Sequence, residues 1–512
     1  MQELKSFLQN DWCRGTGPGT ILHDPSTGEA VASATSAGLD LGAALEYARR
    51  EGGPRLRAMT FAQRGEMLTE LSKAIHAHRA ELLEISTLNT GTTLKDSKFD
   101  IDGATSTLAA YGEIGQELGD RKFLLDGEGM QCGRSPRFHG QHIQVPLRGV
   151  GIHINAFNFP AWGFAEKLAC SFLAGVPVLT KPATSTCLPS FRVAQIVVES
   201  GLCPDGAWSF LAGSVGDLLN HVTSQDVVAF TGSANTARKI RGHEQIIAKS
   251  VRVNAEADSL NAMVVGPDMT VGSDTWDLFI RELTREVTQK SGQKCTATRR
   301  VFLPEALIEP TVDALKDSLA EFPAGSAHDE NNRMGPLSVP SQFADVVDVL
   351  KQLSAVSDIV IGSIPEGDGK PCALIEPVVM VCKDPKNSPL VHDLEAFGPC
   401  VTLMPYSGDA IEAGELVALG NGCLVATMYS DDIQFTQDLL LELAPWNGRV
   451  LLGSKRIADH STGPGIVLPT LVHGGPGRAG GGLELGGQRG MNLYMQTCAV
   501  QGSRPVIEKI LG

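Results

Sequence analysis

No stretch of this chain approaches the roughly 18 to 20 consecutive apolar residues that a membrane span requires, which sets aside a spanning protein. The opening, Met-Gln-Glu-Leu-Lys-Ser-Phe-Leu-Gln-Asn, has no apolar core of the kind a secretory leader needs, so a cytoplasmic protein is the expectation. Positive charge is also short: 43 lysines and arginines stand against 58 acids, a formal charge of -15. A surface that acidic repels nucleic acid and anionic lipid, and neither is expected as a partner. The 11 cysteines are odd in number, scattered, and form no C-x-x-C pair. That argues against a disulfide framework and against a structural zinc site; reduced thiols and no metal are expected. Internal repeats and low-complexity linkers are missing too, although Gly474 to Gly487 is strongly glycine-rich.

What is present is the composition of a globular enzyme, 42% hydrophobic and 20% charged over 512 residues, enough for two or three cores. Residues 1 to about 50 read as an arm, with short strands around the turn Asp24-Pro-Ser-Thr-Gly28 and a helix from Leu41 to Arg50. One long amphipathic helix is expected from Thr60 to Leu88, with Met67, Leu71, Ile75, Leu82 and Ile85 near one face. Two stray strand patterns, Phe138 to Leu147 and Met491 to Val500, could pair with each other, and an exposed pair invites association between subunits.

Between Val150 and Val265 short apolar runs alternate with helical spacings. The runs are Val150–Ile154, Val176–Thr180, Ala207–Leu211, Asp226–Phe230 and Ala262–Val265, and the pattern is that of a doubly wound parallel sheet. Ligands bind at the carboxyl ends of such strands, so the residues following each run are candidates. They are Asn155-Ala-Phe-Asn-Phe-Pro160, Thr180-Lys-Pro-Ala-Thr184, Phe230-Thr-Gly-Ser233 and Asn254-Ala-Glu-Ala-Asp-Ser259. Further on, a helical pattern from Asp274, with Phe279, Leu283 and Val287 at intervals of four, runs into Ser291-Gly292. Cys295 follows at once, on a short polar segment where a helix gives out. A thiol there can be reached by a small molecule with its own backbone N–H turned toward the reacting atom.

In this order, and with Gly292-Gln-Lys-Cys295 and Glu395-Ala-Phe-Gly-Pro399 downstream, these segments resemble the aldehyde dehydrogenase superfamily over nearly the whole chain. The resemblance implies an α/β fold with a Rossmann-like nucleotide domain (residues 1–127 and 149–258), an α/β catalytic domain (259–465) and a β oligomerisation flap (128–148 and 488–501). It implies Cys295 as the nucleophile, Asn158 as an oxyanion donor beside the Cys295 N–H, and Glu256 as the base that releases the acid. Relatives that pass the acyl group to free coenzyme A do without that glutamate, so its presence points to hydrolysis. For the dinucleotide the same resemblance implies Phe157, Lys181, Thr184, the turn Thr231-Gly232-Ser233, Glu395 on the nicotinamide ribose and Phe397 beside it. Strictly NAD-dependent relatives commonly carry Glu three residues after the lysine. Thr184 stands there instead, so NADP is expected to serve at least as well as NAD. The alternative for Thr184 is a plain helix N-cap. A homodimer or dimer of dimers is the family habit.

Three departures from the family pattern stand out. The turn Gly-Ser-x-x-x-Gly has Ala237 in its last place; Glu256 is followed by Ala-Asp-Ser where Leu-Gly-Gly is usual; and Glu256 lies 39 residues before Cys295, longer than common. With Glu256-Ala-Asp-Ser-Leu-Asn261 and His473-Gly-Gly-Pro-Gly-Arg-Ala-Gly-Gly-Gly482, they resemble a branch of the family that oxidises semialdehydes tethered to coenzyme A in aerobic phenylacetate and benzoate breakdown. Bifunctional members of that branch continue into a ring-opening hydratase-type domain; this sequence shows none, so no ring-opening activity is expected.

Overall fold

Two largely parallel seven-stranded sheets carry the chain, and the computed structural model describes all 512 residues. The first sheet runs Arg252–Glu256, Val227–Thr231, Gly151–Ile154, Val178–Lys181, Trp208–Phe210, Ser6–Leu8 and Asp11–Cys13, antiparallel only at the last two. Its interior strands are short apolar runs because both faces are covered; every residue of Gly151–Ile154 is buried. Trp162–Ala174 packs on one side as a helix buried along its whole length, and Phe164, Leu168 and Phe172 enter a core shared with Trp208 and Phe210.

The run Ala262–Val265 is a correction to the sequence reading. Its strand, Asn261–Val265, lies inside the second sheet, between Thr298–Pro304 and Cys423–Tyr429. The edge of the first sheet is Arg252–Glu256 instead, whose alternation of Arg, Val, Asn, Ala and Glu is no apolar run. Asn254 and Glu256 on that strand face other parts of the chain rather than a helix-covered core. The second sheet continues outward through Cys400–Tyr406, Val378–Val381 and the antiparallel Asp358–Ile361 on one side, and Asn447–Gly453 on the other.

The long helix expected from Thr60 to Leu88 is two, Phe61–Ala77 and Arg79–Thr90, broken at His78 with φ -100° and ψ 17°. Ile75 and Leu82 are two helical turns apart, so the apolar spacing runs through the break unchanged and hides it. The two stray strands do pair: Phe138–Pro146 lies antiparallel to Met495–Ser503 from Phe138↔Ser503 to Pro146↔Met495, and Leu124–Gln131 joins as a third strand. A helix, Arg504–Leu511, follows the strand with which the sequence pattern closed. No helix is long and apolar enough to cross a membrane.

Candidate active site

The helix Asp274–Thr288, N-capped by Ser273, delivers the Cys295 segment. Immediately after it Lys290, Ser291 and Gly292 take left-handed conformations in succession, with φ of 53°, 53° and 69°. For residues other than glycine this costs on the order of 1 to 3 kcal/mol each and persists only where the surroundings fix it. Here they do. The Lys290 N–H donates to Asp96 Oδ2 at 3.0 Å and the Ser291 hydroxyl to the Gly335 carbonyl at 2.6 Å, while a Cβ on Gly292 would overlap the Gly398 carbonyl. The break that the sequence suggested is therefore a fixed loop. Beyond it the buried Asn261 amide donates to the carbonyls of Cys295 and Ala297, at 2.7 and 2.9 Å, and sets the peptide on which the thiol stands.

Two donors are left at the sulfur. The backbone N–H of Cys295 has no partner in the protein. Asn158 gives one amide hydrogen to the Gln293 carbonyl at 3.1 Å and keeps the other. Asn158, Glu256 and Cys295 line both a narrow chamber on one side and a broad cleft on the other. The thiol thus stands between two spaces.

Behind Cys295 lies a group that the sequence reading missed. His473 Nε2 is 3.1 Å from Glu256 Oε2 and 3.9 Å from Cys295 Sγ, and ligating atoms of all three residues fall within 4.8 Å of one another. A second cluster adjoins it: Lys167 Nζ contacts Glu166 at 3.0 Å, Glu484 at 3.3 Å and the Thr231 hydroxyl at 2.8 Å. Burial alone would raise the Glu256 carboxyl, but His473 beside it and Lys167 nearby outweigh burial and hold it down, at about 2. Burial lowers His473 and the Glu256 carboxylate more than offsets it, so the imidazole is raised. Cys295 is pushed well up, by burial first and by the charge of Glu256 second. Burial and charge thus favour the neutral thiol, while the Glu256 carboxylate and the His473 ring favour each other's charged forms.

The glycine-rich stretch explains how these residues arrive. Val472–Gly475 and Gly482–Leu485 form a hairpin laid against the edge strand, with Ala257 N donating to the Ala479 carbonyl at 3.0 Å. A Cβ on Gly480 or Gly482 would overlap the Ala255 carbonyl, and one on Gly448 the Gly474 carbonyl. Only glycine allows backbones that close, and the approach is what sets His473 and Glu484 against Glu256. One signal for the second cluster was legible: Glu166-Lys167 interrupts the otherwise apolar Trp-Gly-Phe-Ala-Glu-Lys-Leu-Ala-Cys-Ser-Phe-Leu-Ala.

All eight residues expected to hold a dinucleotide, Phe157, Lys181, Thr184, Thr231, Gly232, Ser233, Glu395 and Phe397, line the broad cleft, whose volume is about 730 Å³. Phe157 and Phe397 meet edge to face with centroids 5.8 Å apart. Glu395 Oε2 accepts from the Ser259 N–H at 2.9 Å, while Oε1 has Arg299 Nε at 3.5 Å and no hydrogen bond. Burial raises this carboxyl to about 7 against the pull of Arg299. Arg299, also missed, donates to the Gly398 carbonyl at 2.7 Å and to the Gly292 carbonyl at 2.8 Å, and its guanidinium lies 5.4 Å from the Phe397 ring centroid.

Two of the three sequence departures have a physical reading. Ala237 is buried in the core under its helix and does not line the broad cleft. Asp258 accepts from the Ala234 N–H at 2.9 Å, so a carboxylate takes the first donor of the helix that Ser233 caps. Thr184 caps nothing: it opens a three-residue turn and its hydroxyl donates to the Gly213 carbonyl at 2.9 Å, as Thr186 does to the Phe157 carbonyl at 2.8 Å.

Comparison with known proteins agrees with this geometry. Residues 12–500 match the aldehyde dehydrogenase family. The 3,4-dehydroadipyl-CoA semialdehyde dehydrogenase of Aromatoleum evansii is 41% identical over 479 residues, 93% of either chain. The glutarate-semialdehyde dehydrogenase of Pseudomonas aeruginosa is 26% identical, covering 84% of this chain and 85% of its own. Among solved structures, betaine aldehyde dehydrogenase from Staphylococcus aureus in complex with NAD+ superposes with a TM-score of 0.83 at 21% identity, over 97% of this chain and 94% of that one.

Proposed function

The chain belongs to the aldehyde dehydrogenase family, and we propose that it oxidises a coenzyme A-linked semialdehyde to the carboxylic acid through a thioester on Cys295. The observation that carries the chemistry is the convergence at Cys295 of an unengaged N–H, the free amide hydrogen of Asn158 and the Glu256 carboxylate.

The steps follow from that placement. The Cys295 thiol gives up its proton to solvent as sulfur adds to the aldehyde carbon. The Cys295 N–H and the Asn158 amide receive the oxyanion, donors of a kind typically worth about 3 kcal/mol each. A dinucleotide bound in the broad cleft supplies the hydride acceptor. With hydride gone the substrate carbon is an acyl group on sulfur; Glu256 takes a proton from the attacking water and passes it to the departing sulfur, which restores the thiol. Aldehyde, water and oxidised dinucleotide give acid, reduced dinucleotide and one proton.

The cleft fits such a group on its own chemistry. The buried Glu395 Oε1 lacks a hydrogen bond that a ribose hydroxyl would supply, and the half-buried Lys181 lies along the same cleft. NADP is accepted alongside NAD on this reading, because position 184 carries no carboxylate to repel a 2′-phosphate. With the Thr184 and Thr186 hydroxyls turned to carbonyls, it is lack of repulsion together with the Lys181 charge that admits the phosphate. The three-stranded flap, with open edges at Leu124–Gln131 and Met495–Ser503, serves assembly into a homodimer or dimer of dimers.

The relative at 41% identity supports the substrate class: 3,4-dehydroadipyl-CoA semialdehyde, or the phenylacetate-route 3-oxo-5,6-dehydrosuberyl-CoA semialdehyde. Side-by-side kcat/KM for these two and for simple aliphatic and aromatic aldehydes tests it. The CoA-linked compounds should lead. A preference for simple aldehydes makes this a general aldehyde dehydrogenase, and dinucleotide binding with no turnover of any aldehyde makes it a binding protein on the same fold.

A further inference from the structure

On the side of Cys295 away from the dinucleotide cleft lies a second large space, a cleft of about 900 Å³ that shares no lining residue with it. Gly465 is the common wall between this space and the narrow chamber at the sulfur. Its carbonyl accepts from the hydroxyl of Thr296, the residue after the nucleophile, at 3.3 Å. A side chain at Gly465 would press on buried ions, since a Cβ there lies 2.6 Å from Glu286 Oε1 and 2.7 Å from Lys294 Nζ. The wall is therefore backbone only.

The charge of this cleft runs against that of the protein. On a chain of net charge -15, Lys95, Lys98, Arg281, Arg285 and Arg333 all line it. Two of its acids are buried and engaged: Asp96 accepts from the Lys290 N–H at 3.0 Å, and Glu286 is paired with Lys294 at 2.7 Å. Asp329 and Glu330 remain exposed. Lys95 and Lys98 are exposed and belong to no ion pair. Arg285 gives one hydrogen to the Thr462 carbonyl at 2.9 Å and Arg281 one to the Ala458 carbonyl, leaving the other guanidinium hydrogens free. Arg333 lies over Phe322, 5.6 Å from its ring centroid and 3.7 Å from Glu321 at the rim. Two lysines without ion-pair partners and three arginines with hydrogens to spare, beside a half-exposed aromatic ring, match a nucleotide bearing several phosphates.

We propose that this cleft binds the 3′-phosphorylated ADP portion of coenzyme A, from which the neutral pantetheine arm passes Gly465 and carries the aldehyde end of the acyl chain to Cys295. The proposal rests on the CoA-linked reading above and adds where the carrier is held. It also accounts for two nucleotide-sized spaces near one thiol, one lined by Cys295 itself for the dinucleotide and one separated from the sulfur chamber only by Gly465 for the handle of the substrate.

The test uses the full-length enzyme with 6-oxohexanoyl-CoA, hexanal, free CoA and 3′-dephospho-CoA. The double variant Lys95→Glu/Lys98→Glu should raise KM for 6-oxohexanoyl-CoA at least about tenfold while hexanal oxidation is unchanged. In the wild type, CoA should inhibit hexanal oxidation competitively with hexanal and more strongly than 3′-dephospho-CoA; the variant should lose that difference. If the wild type prefers 6-oxohexanoyl-CoA and the variant keeps the same KM, the nucleotide docks elsewhere and the proposal is wrong while the CoA-linked function stands. If the wild type handles hexanal as well as 6-oxohexanoyl-CoA, the CoA-linked function fails and this site with it.

Discussion

The two spaces that meet at Cys295 are built in opposite ways. The dinucleotide cleft takes most of its lining from segments that follow parallel strands, each a few residues long and each carrying its own chemical identity. The chamber behind the thiol is assembled from parts far apart in sequence: the helix after residue 161, the edge strand at Glu256, and a hairpin more than 200 residues later. The first depends on local backbone geometry and tolerates exposure. The second depends on mutual burial of charge, where no member is stable alone. A cleft of the first kind can be read residue by residue; one of the second kind exists only once the chain is folded.

The largest effect should come from the nucleophile, one of the residues that both spaces share. Cys295→Ala should lower kcat by at least roughly 10³-fold while dinucleotide affinity, measured by calorimetry, stays the same. Equal loss of both would merge the two regions into one unit. Next, Glu256→Gln should form the thioester and stall, seen as a burst of reduced dinucleotide followed by a steady rate lower by roughly 10²-fold. Normal turnover without a burst would take Glu256 out of the mechanism. A change confined to the dinucleotide side is smaller: Thr184→Glu should weaken NADP binding by about 1 to 3 kcal/mol through charge repulsion and spare NAD. Unchanged discrimination would place recognition of the 2′-phosphate at some other residue.

The smallest effect is a slope, and it belongs to the far side. His473 is raised above its ordinary 6.5, so its contribution to stability is complete below that pH and is lost as pH rises through the raised value. Glu256 is depressed from 4.5 to about 2, so its contribution is complete above 4.5 and is lost as pH falls toward 2. The pair contributes fully between those ordinary values. His473→Phe should remove the alkaline part of this dependence in urea melts recorded across pH, and should let the acid limb of the kcat profile move up as Glu256 regains basicity. A variant with both profiles unchanged would mean that His473 does not set the carboxylate.

What could be read in advance follows from the same contrast. Cys295 at a helix break was suggested by its own neighbours, while Asn158 before Phe-Pro, the Lys181 and Gly232 turns and Glu395 sit in short segments that became legible through their ordered resemblance to the aldehyde dehydrogenase family. Four strands of the first sheet were legible as apolar runs for the same local reason. Arg252–Glu256 was not, since a strand that turns Asn254 and Glu256 toward the hairpin has no apolar signature. His473 stood at the head of a glycine-rich run, and only the close approach of Gly480 and Gly482 to the Ala255 carbonyl shows why glycine is needed there. Arg299 and Asn261 act on backbone carbonyls, and nothing in a sequence marks which carbonyls a side chain will reach.

Arg299 also has a thermodynamic meaning. One guanidinium grips the Gly292 carbonyl before the nucleophile and the Gly398 carbonyl after the Glu395–Phe397 segment, so whatever steadies one loop steadies the other. Linkage makes such a tie reciprocal. On the proposed function, a dinucleotide at Glu395 that favoured this tied arrangement would favour an acyl group on Cys295, and the acyl group would in turn favour the dinucleotide by the same factor.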